Sequence, residues 1–248
     1  MKKKNYLISI CIPTLNSEKY LEKAIKSVVV QDYKHVQLII IDGGSRDKTL
    51  KIIKKYRKYI HYWVSEKDKG LYHAWNKALK IAKGEIFTIL CSDDYYYKNT
   101  LSIVNNYFTK YSKINFLFGA AKMGWGVVHK YKPEKIKWSF GFYTTTTPAF
   151  FIRTKDAKKI GGWSLKYSTS ADYDFFYKML VKHKMKGMIG KKTEVFGYRR
   201  SGGFSSKVPY LKWLNECSQI RIDNGQNRAF VYFIHLIRII KNFLKIFN

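Results

Sequence analysis

Cysteine is scarce in this chain: Cys11, Cys91 and Cys217 are the only three. They are too few and too scattered for a disulfide framework or a zinc cluster. Cys11 and Cys91 each end an apolar, strand-like run, so they read as reduced core residues. Acid is scarce too, with 17 Asp and Glu against 47 Lys and Arg and a formal net charge of +30. So large an excess cannot be paired internally, although Lys-, Tyr- and Asn-rich usage accounts for part of its size. It implies attraction to something anionic: nucleic acid, anionic lipid or a phosphorylated substrate. No apolar signal-peptide stretch follows the basic Met1–Asn5, so a reducing cytoplasm is the expected setting. There is no internal repeat, no Gly/Ser-rich linker before about Ser201, and no histidine pair at metal-ligand spacing on one helix.

What is present is a core-forming chain. Apolar residues make up 46% of 248 positions, enough for one large domain or one domain with an appendage, and wholesale disorder is excluded. Strand-like runs at Leu7–Ile12, Val36–Ile41, His61–Val64 and Glu85–Leu90 alternate with helical patterns. Those helices are expected over Glu18–Val30, capped by Ser17, over Asp47–Lys58 and over Tyr72–Ala82. This alternation predicts an α/β fold, a mostly parallel sheet with helices on both faces. Further on, Phe116–Gly119 and Ala149–Ile152 read as strands and Ser170–Lys182 as a helix, with Thr144–Thr147 an extended lead-in before Pro148.

In open sheets of this kind ligands bind beyond the carboxyl ends of the strands. Three of the four segments there carry an acid: Asp42-Gly43-Gly44-Ser45, Ser65-Glu66-Lys67-Asp68 and Ser92-Asp93-Asp94; the fourth is Pro13-Thr14-Leu15-Asn16. Asp93 and Asp94 offer hard oxygen ligands, enough for Mg²⁺ or Mn²⁺ when phosphates and water complete the shell. The same two acids also suit a solvated loop that merely ends the strand. Asp42 with two glycines permits close backbone approach to a ligand, and equally a tight turn in which Ser45 or Asp47 caps the next helix.

Taken together, these segments resemble the family 2 glycosyltransferases, which have the nucleotide-sugar-binding GT-A fold. The resemblance runs in order through Ile8–Asn16, Ile39–Thr49, Ser65–Ala78 and Lys83–Asp94. It is thinner in Thr147–Arg153, Gly161-Gly162-Trp163 and Ser170–Asp174. It implies that Pro13 and Thr14 lie against the base, that Asp42 contacts base or ribose, and that Glu66 and Asp68 form a second acidic pair on the nucleotide side. Lys67 stands where Pro is commoner, and Ser92 replaces the first acid of the family's Asp-x-Asp-type motif. Asp94 is then the metal ligand, for Mn²⁺ or Mg²⁺, and Asp93 the contact to ribose or donor sugar. Asp172 matches the acid that deprotonates the acceptor hydroxyl in inverting members; a first-turn helix acid would sit there too. Asp174, two residues on, should face elsewhere. UDP is the expected nucleotide by family frequency.

Arg199-Arg200 precede Gly202–Ser206, a plain glycine-rich loop or, as the resemblance implies, a segment that closes over the diphosphate. His73 and His129 read as surface or core histidines, with His129 a conceivable third metal ligand. From Ala229 to Phe247 apolar residues dominate, and His235, Arg238, Lys241, Asn242 and Lys245 recur on one side. The charges interrupt any bilayer-length run, so the segment reads as a basic amphipathic helix lying on an anionic membrane, or docked on the domain or a second copy. The expected organisation is a GT-A-like domain over 1–205, its donor half about 1–100 and acceptor half about 101–205, then a helical membrane-proximal tail over 206–248. The expected activity is inverting, metal-assisted sugar transfer to a glycan or lipid-linked acceptor in envelope polysaccharide synthesis, on the inner face of the cell membrane. Two rival classes are a basic nucleic-acid-binding protein and an inactive sugar-nucleotide-binding subunit. Acids clustered at the strand ends oppose the first, and intact Asp93, Asp94 and Asp172 oppose the second.

Overall fold

A computed structural model describes residues 4–138, 147–203, 206 and 208–243. The central strand β1 (Ile8–Thr14) is buried at every position, because parallel partners flank it on both edges and helices cover both faces. Its neighbours are β2 (Val36–Asp42) and β4 (Ile86–Ile89), with β3 (Tyr62–Ser65) beyond β2. On the other side lie β9 (Phe150–Arg153), β6 (Phe116–Phe118) and β10 (Gly187–Ile189). The seven-stranded order is β10-β6-β9-β4-β1-β2-β3, and only β9 runs antiparallel to its neighbours.

The two-residue period of a strand splits the apolar runs between two cores. Ile8, Ile10, Ile12, Leu38, Ile40, Ile86, Leu117 and Phe151 face one layer. That layer is built by α1 (Leu21–Val29), α2 (Thr49–Lys55) and α4 (Thr100–Lys110). Cys11, Ile39, Ile41, Phe87, Ile89, Phe116, Phe118, Phe150 and Ile152 face the other. Here the cover is α3 (Leu71–Ile81), α5 (Thr154–Ile160), α6 (Ala171–Tyr177) and α7 (Tyr210–Asp223). A continuous apolar strand is thus two amphipathic stripes, one for each layer.

A second, four-stranded sheet stands beside the first in the order β5-β11-β7-β8. It consists of β5 (Tyr95–Tyr96), β7 (Ala120–Met123), β8 (Gly126–Val128) and β11 (Val195–Tyr198). It carries the chain after β11 back over the end of β4.

Several local expectations are corrected. Helix α1 begins at Leu21, with Tyr20 at the cap position and no side-chain cap. Ser17 sits a turn earlier: its carbonyl accepts from Tyr20 and Leu21 N–H, and its hydroxyl lies 2.9 Å from Ser92 Oγ. Thr147–Ala149 forms a 3₁₀ turn rather than an extended lead-in; residues 144–146 lie outside the described residues, as do Phe204 and Ser205 of the glycine-rich loop. The helix expected over Ser170–Lys182 is α6 continued by a π-helical turn, Lys178–Lys182.

Within the segment 206–248, α7 buries Cys217 and Ile220 in the same core as α3, α5 and α6, and Leu214 is buried as well. Only α8 (Arg228–Lys241) is peripheral. It docks through Val231 and Ile234, while His235 reaches Ser218 at 2.9 Å and Arg238 donates to the Trp138 carbonyl at 3.0 Å. Its other face leaves Tyr232, Phe233, Leu236, Ile237 and Ile240 exposed, continued by Phe243. No helix among the described residues is long and apolar enough to cross a membrane.

Candidate active site

The strand order reverses between β1 and β4, so their carboxyl ends open the crevice where open α/β sheets bind ligands. Pro13 is tolerated in β1 because the ladder to β4 ends when Leu90 N–H donates to the Cys11 carbonyl; two residues on, no partner strand misses its N–H. Thr14 follows, and its buried hydroxyl has no hydrogen-bond partner. A buried orphan oxygen at a switch point is a place for a ligand to complete.

Asp42 ends β2 fully buried and turns into its own loop. Its carboxylate accepts from Gly44 N–H at 3.1 Å, Ser45 N–H at 2.9 Å, Ser65 Oγ at 2.6 Å and the Ser45 hydroxyl. Three of these donors share Oδ2 and one uses Oδ1, so in this structure Asp42 shapes the loop that follows it and keeps acceptor capacity on Oδ1. Gly44 has φ +87°, a left-handed backbone that suits glycine. A Cβ on Gly43 would lie 3.6 Å from Asp68 Oδ2, which places Asp68 across the same recess. Glu66 and Asp68 share Lys77 of α3, at 2.7 and 2.6 Å, and His73 Nδ1 lies 3.0 Å from Asp68. The single ammonium bridges two acids that would otherwise repel, offsetting part of their charge. His73 therefore belongs to this cluster, whereas His129 contacts the Gly190 carbonyl at 2.7 Å and, among the described residues, joins no group of metal ligands.

Asp93 and Asp94 lie just beyond β4, on a turn closed by Asp94 N–H to the Cys91 carbonyl. Asp94 is 3% exposed and accepts from Thr147 Oγ1 at 3.1 Å and from Arg200 N–H at 3.0 Å. Burial, then the neighbouring Asp93 charge, push its carboxyl up to about 7; the Arg200 N–H, Arg199 and Thr147 act against them. Asp93 receives the Arg200 guanidinium, Nε and Nη2 both at 3.1 Å from Oδ2. Two carboxylates held together at this edge, one of them desolvated, are a donor set that welcomes a hard divalent cation. Among the described residues no third His, Cys, Asp or Glu joins them, so a cation here would draw its remaining ligands from phosphate and water.

Asp172 occupies the first turn of α6. It accepts from Tyr173 N–H at 2.9 Å and from the Tyr72 hydroxyl at 3.3 Å. Burial pushes its carboxyl up to about 6, with the Tyr173 N–H and the Tyr72 hydroxyl opposing. Arg199 lies within electrostatic reach of both Asp172 and Asp94 and lowers the carboxyl pKa of each. Asp174 does face away, bound to Lys178 at 2.6 Å and to Asn224 at 2.8 Å. The loop before α6 is held by Glu216 of α7, which accepts from the N–H and hydroxyl groups of Ser168 and Thr169. Neither Glu216, Tyr72 nor Lys77 carries a local signal of these roles, because each acts on a distant segment.

The profile of Glycosyl transferase family 2 matches residues 9–164, more than half of the chain. The chain belongs to the family 2 glycosyltransferases. It is 40% identical over 103 residues to an uncharacterised glycosyltransferase of Rickettsia typhi, covering 41% of this chain and 32% of that relative. An uncharacterised glycosyltransferase of Methanocaldococcus jannaschii is 30% identical over 189 residues, 71% of this chain and 65% of the relative. The chain thus spans between about a third and just under two thirds of these relatives. Among solved structures, Staphylococcus aureus TarS with UDP-GlcNAc superposes with a TM-score of 0.70 at 21% identity, over 92% of this chain and 70% of that one. A Pyrobaculum calidifontis mannosyltransferase with GDP-Man and Mn²⁺ superposes at 0.67 and 14% identity, over 95% and 70%. The fold is therefore GT-A, as the order of strands and strand-end acids implies.

Proposed function

We propose that this chain transfers a sugar from a nucleotide-diphosphate donor, a UDP-sugar, to a hydroxyl of a glycan or lipid-linked acceptor, with inversion at the anomeric carbon. The carrying observation is that two desolvated carboxylates far apart in sequence, Asp94 just beyond β4 and Asp172 on the first turn of α6, both lie within electrostatic reach of Arg199. Pro13, Thr14, Asp42, Glu66 and Asp68 line the nucleotide side, where the unpartnered Thr14 hydroxyl awaits a polar group. Asp93 contacts ribose or donor sugar, and Asp94 with its neighbour suits Mn²⁺ or Mg²⁺. When bound, such an ion offsets charge on the departing diphosphate. Asp172 takes the acceptor's hydroxyl proton as that oxygen bonds to the anomeric carbon, and the bond to the diphosphate breaks with its electron pair leaving on the nucleotide. Ionised Asp172 is suited to this because burial makes it a stronger base than a solvated carboxylate.

The UDP assignment draws on the named ligand of TarS, and the envelope setting on that relative's name, a poly(ribitol-phosphate) β-N-acetylglucosaminyltransferase. Location on the inner face of the cell membrane draws on α8. Its outward side is apolar at Phe233, Leu236, Ile237 and Ile240, Arg228 and Lys241 flank it, and the whole chain carries +30. Apolar contact plus charge complementarity to anionic lipid is the pattern of an interfacial helix.

The test is binding and hydrolysis of UDP-, GDP-, CMP- and dTDP-sugars with and without Mn²⁺ or Mg²⁺, for wild type and Asp94→Ala. Metal-dependent binding of UDP-sugars, lost in Asp94→Ala, is the expected result. A folded wild type that binds no nucleotide sugar with either ion would remove the donor-site assignment.

A further inference from the structure

The Asp93–Asp94 pair already has a cation in this structure. Strand β11 ends at Tyr198, and the chain then crosses the mouth of the pair. Arg200 meets both acids of the pair and is itself held by an aromatic ring. Its guanidinium grips Asp93 Oδ2 through two nitrogens at 3.1 Å, its backbone N–H donates to Asp94 Oδ1 at 3.0 Å, and its charged carbon lies 4.5 Å over the Tyr20 ring. Just beyond, a Cβ built on Gly203 would lie 3.3 Å from Asp93 Oδ2, so the strap continues tightly across the same carboxylate.

The electrostatics of this arrangement are specific. Two adjacent carboxylates at a partly desolvated edge repel, and a guanidinium that hydrogen-bonds one of them through Nε, with Nη2 in ion-pair range of the same oxygen, relieves that repulsion. A free divalent ion entering here must displace that contact. It would find only two protein carboxylates, because no third metal-ligating side chain joins the group among the described residues. A donor diphosphate changes both conditions together. It supplies the missing oxygen ligands, and its negative charge gives the guanidinium an alternative partner.

We propose that Arg200 is a resident counter-cation that closes the Asp93–Asp94 pair to free divalent metal, so that the ion is admitted only together with the donor's diphosphate. This rests on the donor-site reading above. It adds an order of binding: nucleotide and metal enter as a unit, and Tyr20 holds Arg200 in the closed position until they do.

The experiment measures Mn²⁺ binding by the full chain from the loss of the free-ion EPR signal, with and without UDP, for wild type, Arg200→Gln, Arg200→Lys and Tyr20→Leu. Circular dichroism checks that each variant is folded. Without nucleotide, Arg200→Gln is expected to bind Mn²⁺ roughly tenfold more tightly than wild type, with Tyr20→Leu and Arg200→Lys shifting the same way by less. UDP is expected to tighten Mn²⁺ binding by roughly tenfold more in wild type than in Arg200→Gln, since closure is what couples the two ligands. Equal nucleotide-free Mn²⁺ affinity in wild type and Arg200→Gln, with UDP tightening both alike, overturns the closure while leaving the donor site intact. Wild type that takes up no Mn²⁺ even with UDP overturns the donor-site reading and the closure with it.

Discussion

Replacing Asp94 by Asn should stabilise the metal-free protein while abolishing metal-dependent donor binding. The ionised Asp94 carboxylate is disfavoured by burial and by Asp93, which lift it from 3.8 to about 7. At about 1.36 kcal/mol per pH unit that rise corresponds to a ceiling of about 4 kcal/mol. Asn keeps the shape and can still accept from Arg200 N–H, but loses some hydrogen-bond strength, so about 2 kcal/mol is the realistic gain. The folded-state pKa is raised, so the stability that Asp94 contributes is complete below 3.8 and is lost as pH rises through about 7. The gap in favour of Asn should therefore be near zero at pH 4, partial at pH 5 and constant above pH 7. For a chain of 248 residues, about 2 kcal/mol means a Tm higher by roughly 4–8 °C at pH 8. Thermal unfolding in EDTA from about pH 4 to 8.5 measures it, and without EDTA, UDP with Mn²⁺ should raise the Tm of wild type alone. A gap that does not change with pH, or an Asn variant less stable at pH 8, would refute the reasoning.

Asp172→Asn should lower sugar transfer by about 10²–10⁴-fold with UDP–Mn²⁺ binding unchanged. Because Asp172 acts ionised and is raised to about 6, the wild-type rate should climb with pH through about 6 and level off, a limb that the Asn variant lacks in steady-state pH profiles. Gly84→Ala should destabilise by about 1–3 kcal/mol in urea unfolding, because the new Cβ would sit 2.5 Å from the Leu7 carbonyl and 2.7 Å from Ser9 N, both backbone atoms; a change below about 0.5 kcal/mol would contradict the packing. Phe233→Ser combined with Ile237→Ser and Ile240→Ser should end sedimentation with vesicles containing anionic lipid while Tm moves by less than about 2 °C. Wild type that ignores such vesicles but dimerises in light scattering would assign the α8 face to a second copy.

The first half of the chain was legible because its signals are local. Apolar runs of strand length alternating with 3.6-residue helical patterns require a parallel sheet, and acids placed just after those runs must fall at its ligand edge. Asp42, Asp68, Asp93 and Asp94 all lie there. The second half was harder to read because its strands are short and their partners remote. Phe150–Arg153 pairs antiparallel with both β4 and β6, a direction no local pattern encodes. The small sheet of β5, β7, β8 and β11 left no trace in the periodicity, since each of its strands spans only two to four residues.

Sequence by itself determined the layer architecture and which acids fall at the ligand edge of the sheet, because burial periodicity and strand-end position are properties of neighbouring residues. Tertiary structure alone decided what those side chains do to one another. It turned Asp42 into its own loop, and gave Glu66 and Asp68 a shared lysine. It brought Arg200 onto Asp94 across 106 residues, and set α8 with its basic residues partly inward and its apolar face outward. Charge pairing and desolvation depend on distance through space, and the chain acquires those distances only when it folds.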